Sequence, residues 1–302
     1  MLEIPHEIGK LNFIIDCRHS FGESLRGGII VLQKLAFDLV ELGHNVYMPA
    51  PPMYSDKIVE IPTYGRTWNN YINPLFGYDT FTYPIENTIT IYPGGYGNPY
   101  NTKHVVRWLL QDTEQSYEET WLKSDLIYDF ANFKTIGDLP KKELTTFDFR
   151  FDEMVNKNYE NRKGFCFINH KNTPENYLDI IKQFTPTDLT GWETNGAWSL
   201  LSEEFNKHEY FITFDRKTTF CTLAAMCGCK SIILNEDSSI LPIEYRSQSP
   251  FLQYGVSYGL KDISWANKTV HLTRDYILDL DKYHKKTVNN FVNDLTKLIY
   301  DK

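Results

Sequence analysis

The sequence predicts an α/β fold organised as two doubly wound domains, and three features carry that expectation. Short apolar runs alternate with segments whose apolar residues recur at helical spacing, beginning with LNFIID at 11–16. A length of 302 residues with 42% hydrophobic content is enough for two ordinary cores. Between the two series of elements, FDFRFDEMVNKNYENRK at 147–163 turns charged and polar and marks a boundary. The expected division is a first domain at 1–157, a second at 158–281 and a final helix at 282–302.

LNFIID reads as the first strand. After a loop at 17–28 that ends in Gly27 and Gly28, IIVLQKLAFDLVEL at 29–42 has the spacing of a helix, Gly43 stops it, and NVYM at 45–48 is the next strand. This βαβ unit sets the glycine-bearing loop at the carboxyl end of a strand, a good position for a ligand. The glycine pair falls short of G-x-G-x-x-G, which argues against a standard NAD site. Residues 54–84, rich in Tyr, Asn, Pro and Thr, read as loops and short elements. TITIY at 88–92 alternates as a strand and enters the turn-forming PGGYGNPY at 93–100. KHVVRWLL at 103–110 has a helical pattern, and DLIY at 125–128 is a short strand.

In the second half, GFCFI at 164–168 is a strand, 176–184 a helix, 187–191 a short strand and 198–206 another helix. EYFITF at 209–214 is a strand leading into DRKTTFCTLAAMCGCKSIIL at 215–234, the most informative stretch of the chain. It joins a polar turn, a small-residue helix, a stop at Gly228 and a buried strand. Thr218 and Thr219 stand where the helix begins, so their hydroxyls and the N–H groups of its first turn could meet an anion. Ordinary helix capping accounts for the same two threonines. Residues 282–300 read as a helix with Val288, Phe291, Val292, Leu295 and Leu298 on its apolar face.

Composition narrows the function. The net charge of −8 and an isoelectric point near 5.5 speak against a broad cationic face for nucleic acid or an anionic membrane. No segment reaches the roughly 20 apolar residues of a membrane span, and MLEIPHEIGK lacks a signal-peptide core, so a cytoplasmic location is expected. Five cysteines, Cys17, Cys166, Cys221, Cys227 and Cys229, make an odd set without a secretion signal and are expected to stay reduced. The pair Cys227 and Cys229 lacks zinc spacing, and no metal site is expected there.

Several segments together resemble the retaining branch of the GT-B glycosyltransferases, which use sugar nucleotides in surface-polysaccharide assembly. In the first half they are the strand ending at Asp16, Gly27-Gly28, the pattern from Leu35 through Gly43-His44-x-Val46, Tyr92-Pro93, Gly97-Asn98-Pro99 and VVRWLL at 105–110. In the second half they are Phe214-Asp215, Thr218, residues 224–229 and Ser231-Ile232-Ile233, with GVSYG at 255–259 and Ile263-x-x-Ala266 following. The resemblance covers most of the chain. It implies two Rossmann-like domains facing a central cleft, the first for the acceptor and the second for the donor, with the last helix returning to the first domain. The sequence departs from the family at Leu223, where an acid that binds the donor ribose is usual, and at Lys171, which stands for the usual phosphate-binding cation.

The resemblance further implies roles. Thr218, Thr219 and Lys171, with Gly27 and Gly28 from the first domain, would bind a UDP- or GDP-linked donor, with Arg216 or Lys217 adding charge; each of these two also fits a solvated turn. Asp215 would accept hydrogen bonds from the donor sugar, or cap the helix that follows. Tyr96 and Asn98 would shape the acceptor site, or only the turn. Same-face transfer lets the leaving phosphate take the acceptor proton; an inverting enzyme would need Asp16 or His19 as base. Arg107 fits an anchor of the fold. No cofactor is expected beyond the sugar nucleotide, which is substrate, and no metal. A glycan is the expected acceptor, nucleic acid is disfavoured, and the oligomeric state stays open. Three other readings remain: a metal-dependent GT-A transferase using Asp279 and Asp281, with capping of the final helix as their simpler role, a non-catalytic sugar- or nucleotide-binding module, and a DNA-glycosylating enzyme of the same fold, which the acidic charge disfavours.

Overall fold

The computed structural model describes residues 2–3, 9–16, 27–49, 60–61, 66–67, 73–75, 81–82, 87–94, 97–137, 139–169, 173–192, 198–234 and 241–300. The chain divides into two compact units, one made of Met1–Asp148 with Asp281–Lys302 and the other of Phe149–Leu280. Each is built on one large parallel sheet.

The large sheet of the first unit has the strands β1 (Asn12–Ile15), β2 (Asn45–Pro49), β3 (Asn73–Leu75), β4 (Thr88–Tyr92), β5 (His104–Leu109), β6 (Leu126–Asp129) and β7 (Lys142–Glu143). Their spatial order is β3-β2-β1-β4-β5-β6-β7, with every pairing parallel. This is the doubly wound order, whose direction of growth reverses between β1 and β4. Central strands of such a sheet are covered on both faces, which is why NFII of β1 and TITIY of β4 are buried at every position. Helix α1 (Gly27–Glu41) follows β1 and buries Leu32, Leu35, Ala36 and Leu39. It closes on Gly43, where φ is +88° and His44 N–H reaches Leu39 O at 3.1 Å, a left-handed cap that a side chain would strain.

Two sequence expectations change here. Gly27 and Gly28 begin α1 instead of ending the preceding loop. Residues 104–109 form the strand β5, not a helix. Val105, Val106, Trp108 and Leu109 are buried between β4 and β6, and a strand buried on both faces shows no period of two to distinguish it from a helix. The β-branched pair Val105-Val106 is the local signal for a strand.

The second unit has β8 (Phe165–Phe167), β9 (Thr187–Asp188), β10 (Tyr210–Thr213), β11 (Lys230–Ile233) and β12 (Val256–Tyr258) in the order β9-β8-β10-β11-β12, all parallel. Growth of this sheet reverses between β8 and β10. After the short helix α2 (Gln115–Glu118) of the first unit, the helices of the second are α3 (Tyr177–Ile181), α4 (Trp198–Lys207), α5 (Phe220–Met226), α6 (Pro242–Gln248) and α7 (Ile263–Thr269). Every residue of α5 is buried, and its small side chains permit that. Its hydroxyl is satisfied from another segment, Thr222 Oγ1 donating to Phe251 O at 2.6 Å, and Ser231 Oγ of β11 donates to the Cys221 carbonyl at 2.9 Å. Gly228 ends this segment at φ +84°, and a Cβ there would lie 2.8 Å from Asn156 Nδ2. Cys166, Cys221, Cys227 and Cys229 are buried thiols, and desolvation pushes Cys227 up to about 12.

The final helix α8 (Thr273–Tyr300) begins at Thr273, upstream of the expected start at 282. Its buried stripe continues upstream through Ile277 and His284 before reaching Val288, Phe291 and Leu295. Ile299 is buried in place of the expected Leu298, which is 46% exposed. From Asp281 onward the helix belongs to the first unit: Phe291 packs edge-on to Tyr128 at 4.8 Å, and Thr287 Oγ1 donates to Thr145 O at 2.7 Å.

Candidate functional site

In an open parallel sheet, ligands bind beyond the carboxyl ends of the strands where the winding reverses, because the two chain segments leave in opposite directions and open a crevice. In the second unit that place lies between β8 and β10. β10 runs through Phe214 into Asp215, which is 6% exposed. The Asp215 backbone N–H donates to Thr213 Oγ1 at 3.1 Å, and its carboxylate Oδ1 accepts from Lys217 N–H at 2.9 Å. Asp215 thus shapes its own turn. On the β8 side, Asn169 N–H is held by Thr190 Oγ1 at 2.8 Å.

The threonines behave differently from the sequence expectation. Thr218 is 6% exposed and its hydroxyl oxygen accepts from Phe220 N–H at 3.3 Å. Cys221 N–H goes to Thr218 O, and those of Thr222 and Leu223 go to Thr219 O at 3.0 and 3.1 Å. The first-turn donors expected to meet an anion are therefore occupied within the protein. α5 is also only seven residues long, so its dipole is modest. Thr219, half-buried at the N-cap, makes no side-chain capping bond. Leu223, where the resemblance expects an acid, is fully buried and serves the core.

The cations of the turn divide. Lys217 is exposed, whereas Arg216 is partly covered and sets its guanidinium 5.3 Å from the ring centre of Tyr245 on α6. Tyr245 stacks on Tyr258, the last residue of β12, with centroids 4.9 Å apart and planes 5° from parallel. The sequence does not single out Tyr245, and Tyr258 enters it only as part of GVSYG. No spacing ties residue 245 to 216; the sheet order brings α6 beside the turn.

In the first unit the reversal lies between β1 and β4. Asp16 follows β1 directly, is 7% exposed, and donates its N–H to Ile91 O at 2.9 Å. Gly28 is exposed in the first turn of α1, and a Cβ added there would meet nothing closer than Leu110 Cδ1 at 3.9 Å. Asn98 is engaged inside its own loop, where Nδ2 donates to Thr102 O at 2.8 Å and Oδ1 accepts from Tyr92 OH at 3.0 Å. His19, Tyr96 and Lys171 lie outside the described residues.

Asp279 and Asp281 sit within α8 rather than at its start, so they do not cap it. Two residues apart on a helix, they point about 200° apart around the axis and do not converge on one ion; Asp281 pairs with Lys285 at 3.1 Å. Among the described residues no group of three or more His, Cys, Asp and Glu is arranged to hold a metal, and no helix is long and apolar enough to cross a membrane. The sequence matches no protein-family model and no curated protein.

Proposed function

We propose that this protein is a GT-B glycosyltransferase that moves a sugar from a nucleotide-sugar donor to a hydroxyl of a glycan or similar acceptor, with retention and without a divalent ion. The observation that carries the reading is Asp215 with Arg216 and Thr219 at the winding reversal of the second sheet, where carboxylate, cation and hydroxyl share one turn. A sugar-nucleotide donor needs this mixture. A carboxylate accepts hydrogen bonds from sugar hydroxyls, and a cation offsets the charge that grows on the diphosphate as the glycosidic bond breaks. The two doubly wound sheets and the return of α8 to the first unit agree with the resemblance. Asp16, next to the reversal of the first sheet, is the described candidate for an acceptor-side base if transfer inverts.

The test is a panel of UDP-, GDP-, ADP-, CMP- and dTDP-linked sugars in EDTA, read by nucleotide release and by protection against thermal unfolding. One donor class is expected to turn over. Asp215→Asn, which keeps the acceptor for Lys217 N–H, should lower turnover by about 10- to 100-fold, the worth of a hydrogen bond to a charged group. No response to any donor would remove the reading. A non-catalytic nucleotide-binding module is the second reading, favoured by Leu223, whose burial removes the family's usual ribose contact; it predicts binding without turnover of donor or acceptor.

A further inference from the structure

A cavity of about 350 Å³ lies between the edge strand β7 and helix α8, wholly within the first unit and near the low end of the roughly 300–1,000 Å³ of small-molecule sites. β7 ends the sheet, since it pairs only with β6. Leu144 N–H donates to Asp129 O at 3.0 Å on the β6 side, and successive residues of a strand turn their amides to opposite sides, so Glu143 and Thr145 turn theirs outward. Thr287 on α8 closes off Thr145, its Oγ1 accepting from Thr145 N–H at 3.0 Å and donating to the carbonyl at 2.7 Å. Glu143, two residues upstream, brings its outward N–H and C=O to the edge that borders the cavity. On α8 the wall is formed by Tyr283, Lys286, Asn290 and Asp294, whose spacing of three, four and four residues puts them on one face. The two ends are closed: Lys142 Nζ meets Asp294 Oδ2 at 2.7 Å, and Tyr283 OH donates to Glu143 Oε2. The middle is open. Lys286 and Asn290 are exposed, and among the described residues neither side chain makes a hydrogen bond or ion pair.

The chemistry of this wall selects its ligand. Lys142 and Lys286 offset Glu143 and Asp294, so the wall carries no formal net charge, and an anion drawn to Lys286 also faces two carboxylates. A neutral ligand rich in hydroxyls meets no such conflict. Its O–H groups can donate to the remaining lone pairs of the carboxylates and to the Asn290 amide oxygen, its oxygens can accept from Lys286 and Asn290 Nδ2, and its C–H face can lie on the ring of Tyr283, which is 43% exposed. We propose that this cavity is a carbohydrate-binding site that holds a neutral stretch of glycan away from the place of transfer. β7 stands three strand spacings from β4, about 14 Å across the sheet from the reversal of the first unit, so the site lengthens the grip on a chain-like acceptor. That acceptor role rests on the glycosyltransferase reading, whereas glycan binding by the cavity does not.

The experiment is saturation-transfer NMR titration of the full chain with maltohexaose, cellohexaose, chitohexaose and hexagalacturonate, and with inorganic phosphate as a plain anion. At least one neutral hexamer is expected to bind, with an affinity that changes by less than about twofold when salt is raised. Lys286→Leu and Asn290→Leu should each weaken it by about three- to tenfold, the worth of a neutral hydrogen bond, and Tyr283→Leu by a similar factor through loss of the ring. Lys286→Gln keeps a donor without the charge and should stay within about threefold of the parent. Lys285→Leu, next to the wall but not part of it and paired with Asp281, should bind as the parent does; a loss there equal to that in Lys286→Leu would be a general effect on α8 and would overturn the proposal. Should Tyr283→Leu fail to fold, the variants at the exposed Lys286 and Asn290 still decide the matter. Binding only of hexagalacturonate or phosphate, abolished in Lys286→Gln, overturns the assignment in favour of an anion site. Hexamer binding that survives all three leucine variants, or no hexamer binding at all, overturns it as well. Turnover of a sugar nucleotide without hexamer binding removes this proposal alone. Cavity-dependent hexamer binding without turnover of any sugar nucleotide removes the glycosyltransferase reading alone.

Discussion

Arg107 in the first unit and Arg216 in the second each set a guanidinium over a tyrosine ring, 4.9 Å from Tyr92 in one case and 5.3 Å from Tyr245 in the other. Their positions along the strands separate them. Arg107 lies in the middle of β5, is fully buried, and directs Nε to Asp125 Oδ2 at 2.8 Å, with Trp121 5.7 Å away. Arg216 lies just past the end of β10, where the winding reverses and a crevice opens. The same contact with an aromatic face thus accompanies a buried ion pair inside the sheet in one unit and lies at the carboxyl edge of the sheet in the other.

The sharpest way to break this contrast is at Arg107. Arg107→Met would leave the Asp125 carboxylate, 3% exposed, buried without its cation, and the expected loss is about 3–5 kcal/mol in denaturant unfolding. Adding Asp125→Leu should recover most of it, because replacing both partners with apolar groups removes the stranded charge. A loss below about 1 kcal/mol in the single variant would show that Arg107 is not committed to the fold. Arg216→Gln, by contrast, should leave the unfolding midpoint nearly unchanged.

A second buried group in the first unit ties folding to pH. His284 on α8 is 1% exposed, and burial pushes its pKa down to about 4; Lys34 acts in the same direction and Asp281 against it. In the unfolded chain the imidazole titrates near its ordinary 6.5. Between these values the unfolded state binds a proton that the folded state does not, so stability falls as the pH drops from about 6.5 to about 4. The integrated loss is up to about 3 kcal/mol. In His284→Leu this part of the acid limb should flatten in a series of denaturant titrations at stepped pH; an unchanged limb would assign the acid sensitivity to other groups.

Legibility in the sequence follows burial in the same way. β1 is legible as a short apolar run that stops at Asp16, and β4 as the alternation TITIY running into a turn of Pro and Gly. β5 reads as a helix because burial on both faces erases the period of two, and Arg107 in its centre lends it the look of an amphipathic segment. The stops at Gly43 and Gly228 are legible because each left-handed cap calls for glycine. At the candidate site, Asp215 and the threonines stand out as polar residues at a strand–helix junction. The occupation of the first-turn N–H groups is not readable, since it depends on how the Thr218 carbonyl and hydroxyl turn inward. Tyr245 is not readable either, as it reaches Arg216 only through the placement of α6.

The smallest expected effect tests the contrast within a single turn. Lys217 adjoins Arg216 and carries the same charge, but its side chain is exposed, whereas that of Arg216 is partly covered and lies over the Tyr245 ring. At physiological ionic strength an exposed charge is screened over about 8 Å, and a flexible ammonium must be ordered before it helps a bound anion. Lys217→Gln should therefore change diphosphate affinity by less than about threefold and stability by less than about 0.5 kcal/mol, measured by calorimetric titration and thermal unfolding on one preparation. A loss shared equally with Arg216→Gln would mean that the ligand responds to the net charge of the turn. Retained binding in Lys217→Gln alongside a loss in Arg216→Gln would locate the selectivity in orientation, since the two variants remove the same formal charge from adjacent positions.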